Sequence, residues 1–166
     1  MQAGARQQPR AEGEAQTEEA AKLKEVAELL GGRRVLHHRL NSALDAHEML
    51  SKGLPGEALK TFIGSLAIEK SGAFEKAIGM SLRTVHRHKD APSRHLSGEQ
   101  SGRIWKFAEI VAKATAVLGS KEEAENWLDR PAIGLNQRRP IDLLATPAGA
   151  RLVEDLLERL EYGVYA

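Results

Sequence analysis

The sequence predicts an all-α protein, on three observations. Of its 166 residues 42% are hydrophobic but only 4% aromatic, so a core has to be assembled from Leu, Ala, Val and Ile, which suits packed helices better than a β-sandwich. Apolar residues recur at spacings of three and four through most of the chain, the period of a helix with one buried face. The segments so patterned are set off by helix punctuation, with Ser or Thr ahead of them and Gly or Pro behind.

Residues 1–16, rich in Gln, Ala, Gly and Arg with little to bury, are expected to be a disordered tail. Thr17 reads as the cap of a helix that runs to Leu30, buries Leu23, Val26, Leu29 and Leu30, and stops at Gly31 and Gly32. A second helix is expected over 35–50, with Leu36, Leu40, Leu44 and Met49 inward and Gly53 at its end. Pro55 reads as the first residue of a third, which extends over 57–68 and buries Ala58, Leu59, Phe62, Ile63 and Leu66.

A short helix bearing Phe74, Ala77 and Ile78 then meets Gly79, and Ser81 caps another short helix with Leu82 and Val85 inward. Helix, glycine, capping serine, helix is the order and length of a helix-turn-helix, with Gly79 at the positive φ that reverses the chain. Pro92 breaks the run, and a long amphipathic helix over 98–118 carries Ile104, Phe107, Ile110, Val111, Ala114 and Val117 as far as Gly119. Ser120 to Glu123 reads as a capping box for a helix with Ala124, Trp127 and Leu128 in the core, closed by Pro131. After a loop over 132–139, Pro140 opens a short helix with Ile141, Leu143 and Leu144. Thr146 caps a last one with Leu152, Val153, Leu156, Leu157 and Leu160, ended by Gly163. The organisation is thus a tail over 1–16, a helical region over 17–119 that holds the helix-turn-helix, and a C-terminal domain over 120–166.

Several function classes drop out. Without cysteine there is no disulfide framework, thiolate nucleophile or Cys-rich zinc site, and a reducing compartment is compatible. No apolar run approaches the ~18 residues that span a bilayer, and the opening residues lack the apolar stretch of a signal peptide. A soluble cytoplasmic protein is expected. His37 and His38, or His86 and His88, lack the separation of three or four that puts two ligands on one helical face, so no metal is assigned. No nucleophile elbow, phosphate-cradling glycine loop or acid pair marks an enzyme, and neither a catalytic residue nor a cofactor is assigned.

The net charge of +1 conceals a split. Between residues 81 and 106, Arg83, Arg87, Lys89, Arg94, Arg103 and Lys106 oppose only Asp90 and Glu99, whereas acids outnumber bases beyond Ser120. Arg83 and Arg87 stand one helical turn apart, so both can face phosphates or guanine edges in one groove. Ser81 and Thr84 lie at the helix start, where hydroxyls reach phosphates, and His86 and Lys89 share the outward side. The competing reading is a structural corner with a solvated basic face. At the other end, Tyr162, Val164 and Tyr165 put apolar side chains beyond a helix stop, which fits either docking on the protein's own body or insertion into a partner.

Three stretches carry a resemblance: Ala124-Glu125-Asn126-Trp127-Leu128-Asp129-Arg130-Pro131; Arg139-Pro140-Ile141-Asp142-Leu143-Leu144-Ala145-Thr146-Pro147-Ala148-Gly149-Ala150 with Val153; and Glu161-Tyr162-Gly163-Val164-Tyr165-Ala166. Together they resemble the toxin-binding domain of Xre/MbcA/ParS antitoxins. Upstream, Gly53-Leu54-Pro55 and Gly79-Met80-Ser81-Leu82-Arg83-Thr84-Val85 are similar to the Xre-like helix-turn-helix portion of that family, so the likeness runs from about residue 45 to the end.

The resemblance implies a type II antitoxin, not an enzyme. Its partner would be a RES-domain toxin that consumes NAD⁺ or modifies a protein with its ADP-ribose. The C-terminal segment would sit at the toxin's active-site cleft, through Arg159, Glu161, Tyr162, Gly163, Val164, Tyr165 and Ala166. It further implies operator binding and autorepression by a homodimer. Where relatives tend to carry a Gly-Gly-type turn, this chain has Gly134-Leu135-Asn136-Gln137-Arg138, with Asn136 expected to replace glycine at positive φ. The alternative is a stand-alone dimeric regulator whose C-terminal domain serves only dimerisation.

Overall fold

The structure, a computed structural model, describes residues 8–68 and 72–163. The described residues form helices α1 (Gln8–Leu29), α2 (Gly32–Leu36), α3 (Ala43–Lys52), α4 (Gly56–Gly64), α5 (Gly72–Ile78), α6 (Leu82–Lys89), α7 (Gly98–Leu118), α8 (Lys121–Leu128), α9 (Pro140–Leu143) and α10 (Pro147–Glu161), with a 3-10 turn at Ile133–Leu135. No strand occurs among them, as the composition and periodicity require.

The axis of the molecule is α7, against which α1, α3, α5, α8 and α10 all pack. Ser97 and Gln100 close a reciprocal capping box at its start, and Gly119 ends it in the left-handed conformation. Ile104, Phe107, Ala108, Ile110, Val111 and Ala114 of α7 are buried. Phe107 meets Phe62 of α4 at 5.8 Å and Phe74 of α5 at 5.5 Å, both edge-on, the arrangement that ring quadrupoles favour. These are all the phenylalanines of the chain, gathered where three helices meet. Between α7 and α10, Lys106 bonds Glu154 at 2.9 Å and Lys113 bonds Glu158 at 2.8 Å. Burial acts to lower the pKa of the Lys106 ammonium, but the hydrogen bonds it donates to Glu109 and Glu154 outweigh that and hold the group above the usual lysine range.

The N-terminal third departs from the sequence reading in three places. First, α1 begins at Gln8 rather than after Thr17. Thr17 sits inside the helix with Oγ1 donating to the Gly13 carbonyl at 2.8 Å, so residues 8–16 of the expected tail are helical, and residues 1–7 lie outside the described residues. Second, the single helix expected over 35–50 is two. His37 takes φ 54° after α2, and a capping box between Ser42 and Asp45 starts α3 afresh. The new phase turns Leu44, expected inward, to solvent at 64% exposure. Third, α4 ends at Gly64, short of Ile68, and Pro55 is its N-cap rather than its first residue, although Leu66 stays buried. From α5 onward the helices fall where the sequence puts them, with two local corrections: Leu152 of α10, expected inward, is 53% exposed, and at the start of α8 the Ser120 side chain accepts from the Glu123 amide without the reciprocal half of a capping box. No described helix is long and apolar enough to cross a membrane.

Candidate DNA-facing helix and C-terminal partner site

The turn between α5 and α6 is built from local chemistry. Gly79 has φ 66°, a conformation costly for a residue with Cβ, and a Cβ there would also meet Arg103 Cδ at 2.7 Å. Ser81 caps α6, its Oγ accepting from the Thr84 amide at 3.2 Å and lying 3.1 Å from Thr84 Oγ1. From α5, the Glu75 carboxylate accepts from the Leu82 amide. Val85 is fully buried and Leu82 half-buried, so α6 is seated by its expected inward positions.

This leaves Ser81, Arg83, His86 and Arg87 exposed, and Thr84 and Lys89 half-buried. Arg83 and Arg87 make no ion pair with any described carboxylate. Acidic neighbours do not neutralise these two guanidinium groups, and they project from the second helix of a helix-turn-helix. That is a geometry suited to phosphate oxygens and base edges.

One residue of α6 eluded the sequence reading. His88 is only 4% exposed, and its Nδ1 is buried without a partner among the described residues. Burial, with the positive charges of Arg87 and Arg94 adding to it, lowers its pKa below the usual histidine value. The signal was present in the spacing, since 82, 85 and 88 recur at three.

The C-terminal unit is fastened by the residues of the Arg-Pro-Ile-Asp stretch. Arg139 grips both oxygens of Asp142, at 2.8 and 2.9 Å, and reaches Asp129 at the end of α8 at 3.0 Å. The fork thus ties the end of one helix to the start of the next. Pro140 stands in the first turn of α9. Thr146 caps α10, accepting from the Gly149 amide at 3.0 Å. A Cβ on Gly149 would lie 2.0 Å from the Leu143 carbonyl oxygen, so α9 and α10 meet at a corner that only glycine admits. Asn136 takes φ 54° in the preceding loop, as expected, and Gln137 φ 61°. Trp127 is half-buried against the core and Leu128 fully buried.

Of the residues expected to meet a partner, Arg159 is half-buried, with Nε shielded from water and unbonded among the described residues. Glu161 and Gly163 are exposed, and Tyr162 is exposed at 79%. Val164, Tyr165 and Ala166 lie outside the described residues. Tyr162 also borders a groove of about 540 Å³ between α1, α7 and α10, lined by Val26, Ile110, Lys113 and Glu158 among others.

An all-α chain with a base-bearing helix-turn-helix followed by a clamped C-terminal helical unit is of the class of two-part helix-turn-helix regulators. The comparisons narrow the class. Residues 45–109 match the antitoxin Xre-like helix-turn-helix domain, and residues 113–163 match the antitoxin Xre/MbcA/ParS C-terminal toxin-binding domain. The chain belongs to the Xre/MbcA/ParS antitoxin family. The first matched region ends and the second begins within α7, with residues 110–112 between them, so a single helix joins them.

Curated relatives agree. An antitoxin Xre of Yersinia enterocolitica is 36% identical over 92 residues, 55% of this chain and 62% of the relative. A protein of a Sphingobium strain named Prs ADP-ribosylating antitoxin is 28% identical over 134 residues, 75% of this chain and 83% of the relative. An antitoxin Xre of Photorhabdus laumondii is 27% identical over 117 residues, 70% and 78% of the two chains. The match spans less than two thirds of the Yersinia protein.

Proposed function

We propose that this protein is a type II antitoxin that neutralises a RES-domain toxin, one that consumes NAD⁺ or transfers its ADP-ribose, by direct binding through its C-terminal segment. The observation that carries the reading is the end of α10: a large aromatic side chain, Tyr162, stands in solvent beside Arg159 and is followed in sequence by Val164 and Tyr165. An apolar, Tyr-bearing tip of that kind can fill a nicotinamide or adenine pocket and keep the cofactor out. The name of the Sphingobium relative, with its reference to ADP-ribosylation, supports the choice of toxin chemistry.

The second half of the proposal is autoregulation. Ser81, Arg83, Thr84, His86, Arg87 and Lys89 of the helix-turn-helix contact operator DNA, and a homodimer multiplies a weak single-module affinity by presenting two reading heads. The exposure of Arg83 and Arg87, without an ion pair to any described carboxylate, supports this. The protein is not an enzyme on this reading, binds no cofactor, and works in the cytoplasm.

The test is co-expression with a RES-domain toxin, affinity purification, and an NAD⁺-consumption assay before and after the partner is stripped. A stable complex that consumes NAD⁺ only once separated is the expected result. Deletion of residues 163–166 should leave the fold and DNA binding intact and abolish neutralisation. A protein that forms no such complex yet binds its operator as a dimer would instead be the stand-alone regulator.

A further inference from the structure

We propose that the segment from Arg33 to Arg39, between α1 and α3, is a second phosphate-backbone contact for duplex DNA, beside the one assigned to α6. The inference rests on the DNA-binding half of the proposed function. These residues lie outside both matched family regions, so nothing in the family likeness assigns them a role.

Within seven positions the chain places Arg33, Arg34, His37, His38 and Arg39, and no Asp or Glu occurs from residue 29 to 44. Arg33, Arg34, His37 and Arg39 are all exposed. Their neighbours do not neutralise them. None of the three arginines has an ion pair or side-chain hydrogen bond among the described residues. Glu28 rests against Gly32 without pairing to either Arg33 or Arg34. Asp45 is occupied by the amides of Asn41 and Ser42 at 2.8 and 3.1 Å. Three guanidinium groups crowded without compensation repel one another, and an external polyanion relieves that repulsion.

The segment is also held in a fixed shape, which separates it from a floppy basic tail. Leu36 is buried, the His37 amide donates to the Arg33 carbonyl at 2.9 Å, His37 turns the chain at φ 54°, and His38 Nδ1 lies 3.0 Å from the Leu36 carbonyl oxygen. Its place in the fold is near α6, because α2 packs on α4 and α4 packs on α6. Two helix packings span roughly 16–20 Å, well inside the ~34 Å of one turn of B-DNA. Phosphates within one turn of a groove occupied by α6 are therefore in range.

The experiment titrates the full-length protein against a duplex from upstream of its own gene over 50–200 mM salt. It compares wild type with the triple variants Arg33→Ala/Arg34→Ala/Arg39→Ala and Arg33→Lys/Arg34→Lys/Arg39→Lys, and with Arg83→Ala/Arg87→Ala. Circular dichroism melts check that all fold. Each lost phosphate contact shallows the slope of log K against log salt by about 0.9, so the alanine triple variant should lose about 2 to 3 from the slope and the lysine triple variant should keep it. If the alanine triple variant keeps the wild-type slope while Arg83→Ala/Arg87→Ala weakens binding, the second contact is overturned and the α6 reading stands. If wild type itself does not bind the duplex, both fall.

Discussion

The carboxylate of Glu125 on α8 accepts hydrogen bonds from the backbone amides of Ala67, at 2.6 Å, and Ile68, at 3.1 Å. Glu125 is 6% exposed and has Lys121 at 3.7 Å. It thereby satisfies donors in the connector after α4, across a separation of more than fifty residues. Glu125→Ala leaves those amides without that acceptor and should cost about 2–3 kcal/mol. Glu125→Gln keeps one acceptor oxygen and should cost less. Urea denaturation of the two variants checks the order, and equal midpoints for wild type and Glu125→Ala would show that water replaces the carboxylate.

Two glycines should respond in opposite senses to the same substitution. At Gly149 the new Cβ meets a backbone oxygen that cannot swing aside, and Gly149→Ala should destabilise by roughly 3 kcal/mol or more. At Gly102, within α7, nothing lies within 4 Å of the added atom, and Gly102→Ala should stabilise by about 0.5–1 kcal/mol through helix propensity. Thermal melts of the pair decide this, since a shared sign would contradict the geometry.

His88 gives the fold a pH dependence with a definite sign. Burial, then Arg87 and Arg94, depress its folded-state pKa below the ordinary 6.5. As pH falls below about 6.5 the unfolded chain takes up a proton that the folded one resists, so stability is intact above that value and declines until pH has passed the lowered folded pKa. The slope from one such proton is at most about 1.4 kcal/mol per pH unit. Denaturation at pH 7.5 and 5.5 should show a larger acid loss in wild type than in His88→Leu. Parallel losses would remove His88 as the cause.

Phe107→Ala should cost about 3–5 kcal/mol, because it opens the junction of α4, α5 and α7 and removes both edge-on ring contacts. Phe107→Leu should recover much of the volume and most of the stability. An unchanged melt would mean that the junction is not the centre of the core.

Much of this was legible in the residues, and what was not has particular causes. Gly79 and Ser81, Gly119, Pro140 and Thr146 announce their turns because the conformation needed at each point has a chemical specialist. The break at His37 announces nothing. The chain turns there on a residue with Cβ and without a proline, so the apolar positions 36, 40 and 44 read as one stripe. The start of α3 was readable after all, in Ser42 and Asp45, three apart. Glu125 belongs to a different class. Its partners come from a connector that sequence spacing cannot bring near it, and only the packed structure shows why a carboxylate is buried. At the candidate sites, the outward face of α6 could be read, whereas the burial of His88 on its other side was masked by the bases around it.

The continuity of α7 through the seam between the two matched regions bears on how such proteins diversify. An exchange that gave this helix-turn-helix half a different C-terminal half would have to splice inside a helix, where each residue gained or lost rotates everything downstream by about 100° and shifts it by about 1.5 Å. Recombinants with the wrong residue count would present the new half on the wrong side of the molecule. Inheritance of new partner specificity is thereby phase-locked, open to substitution and to crossovers that conserve length, and closed to the loose cutting and joining that a flexible linker would permit.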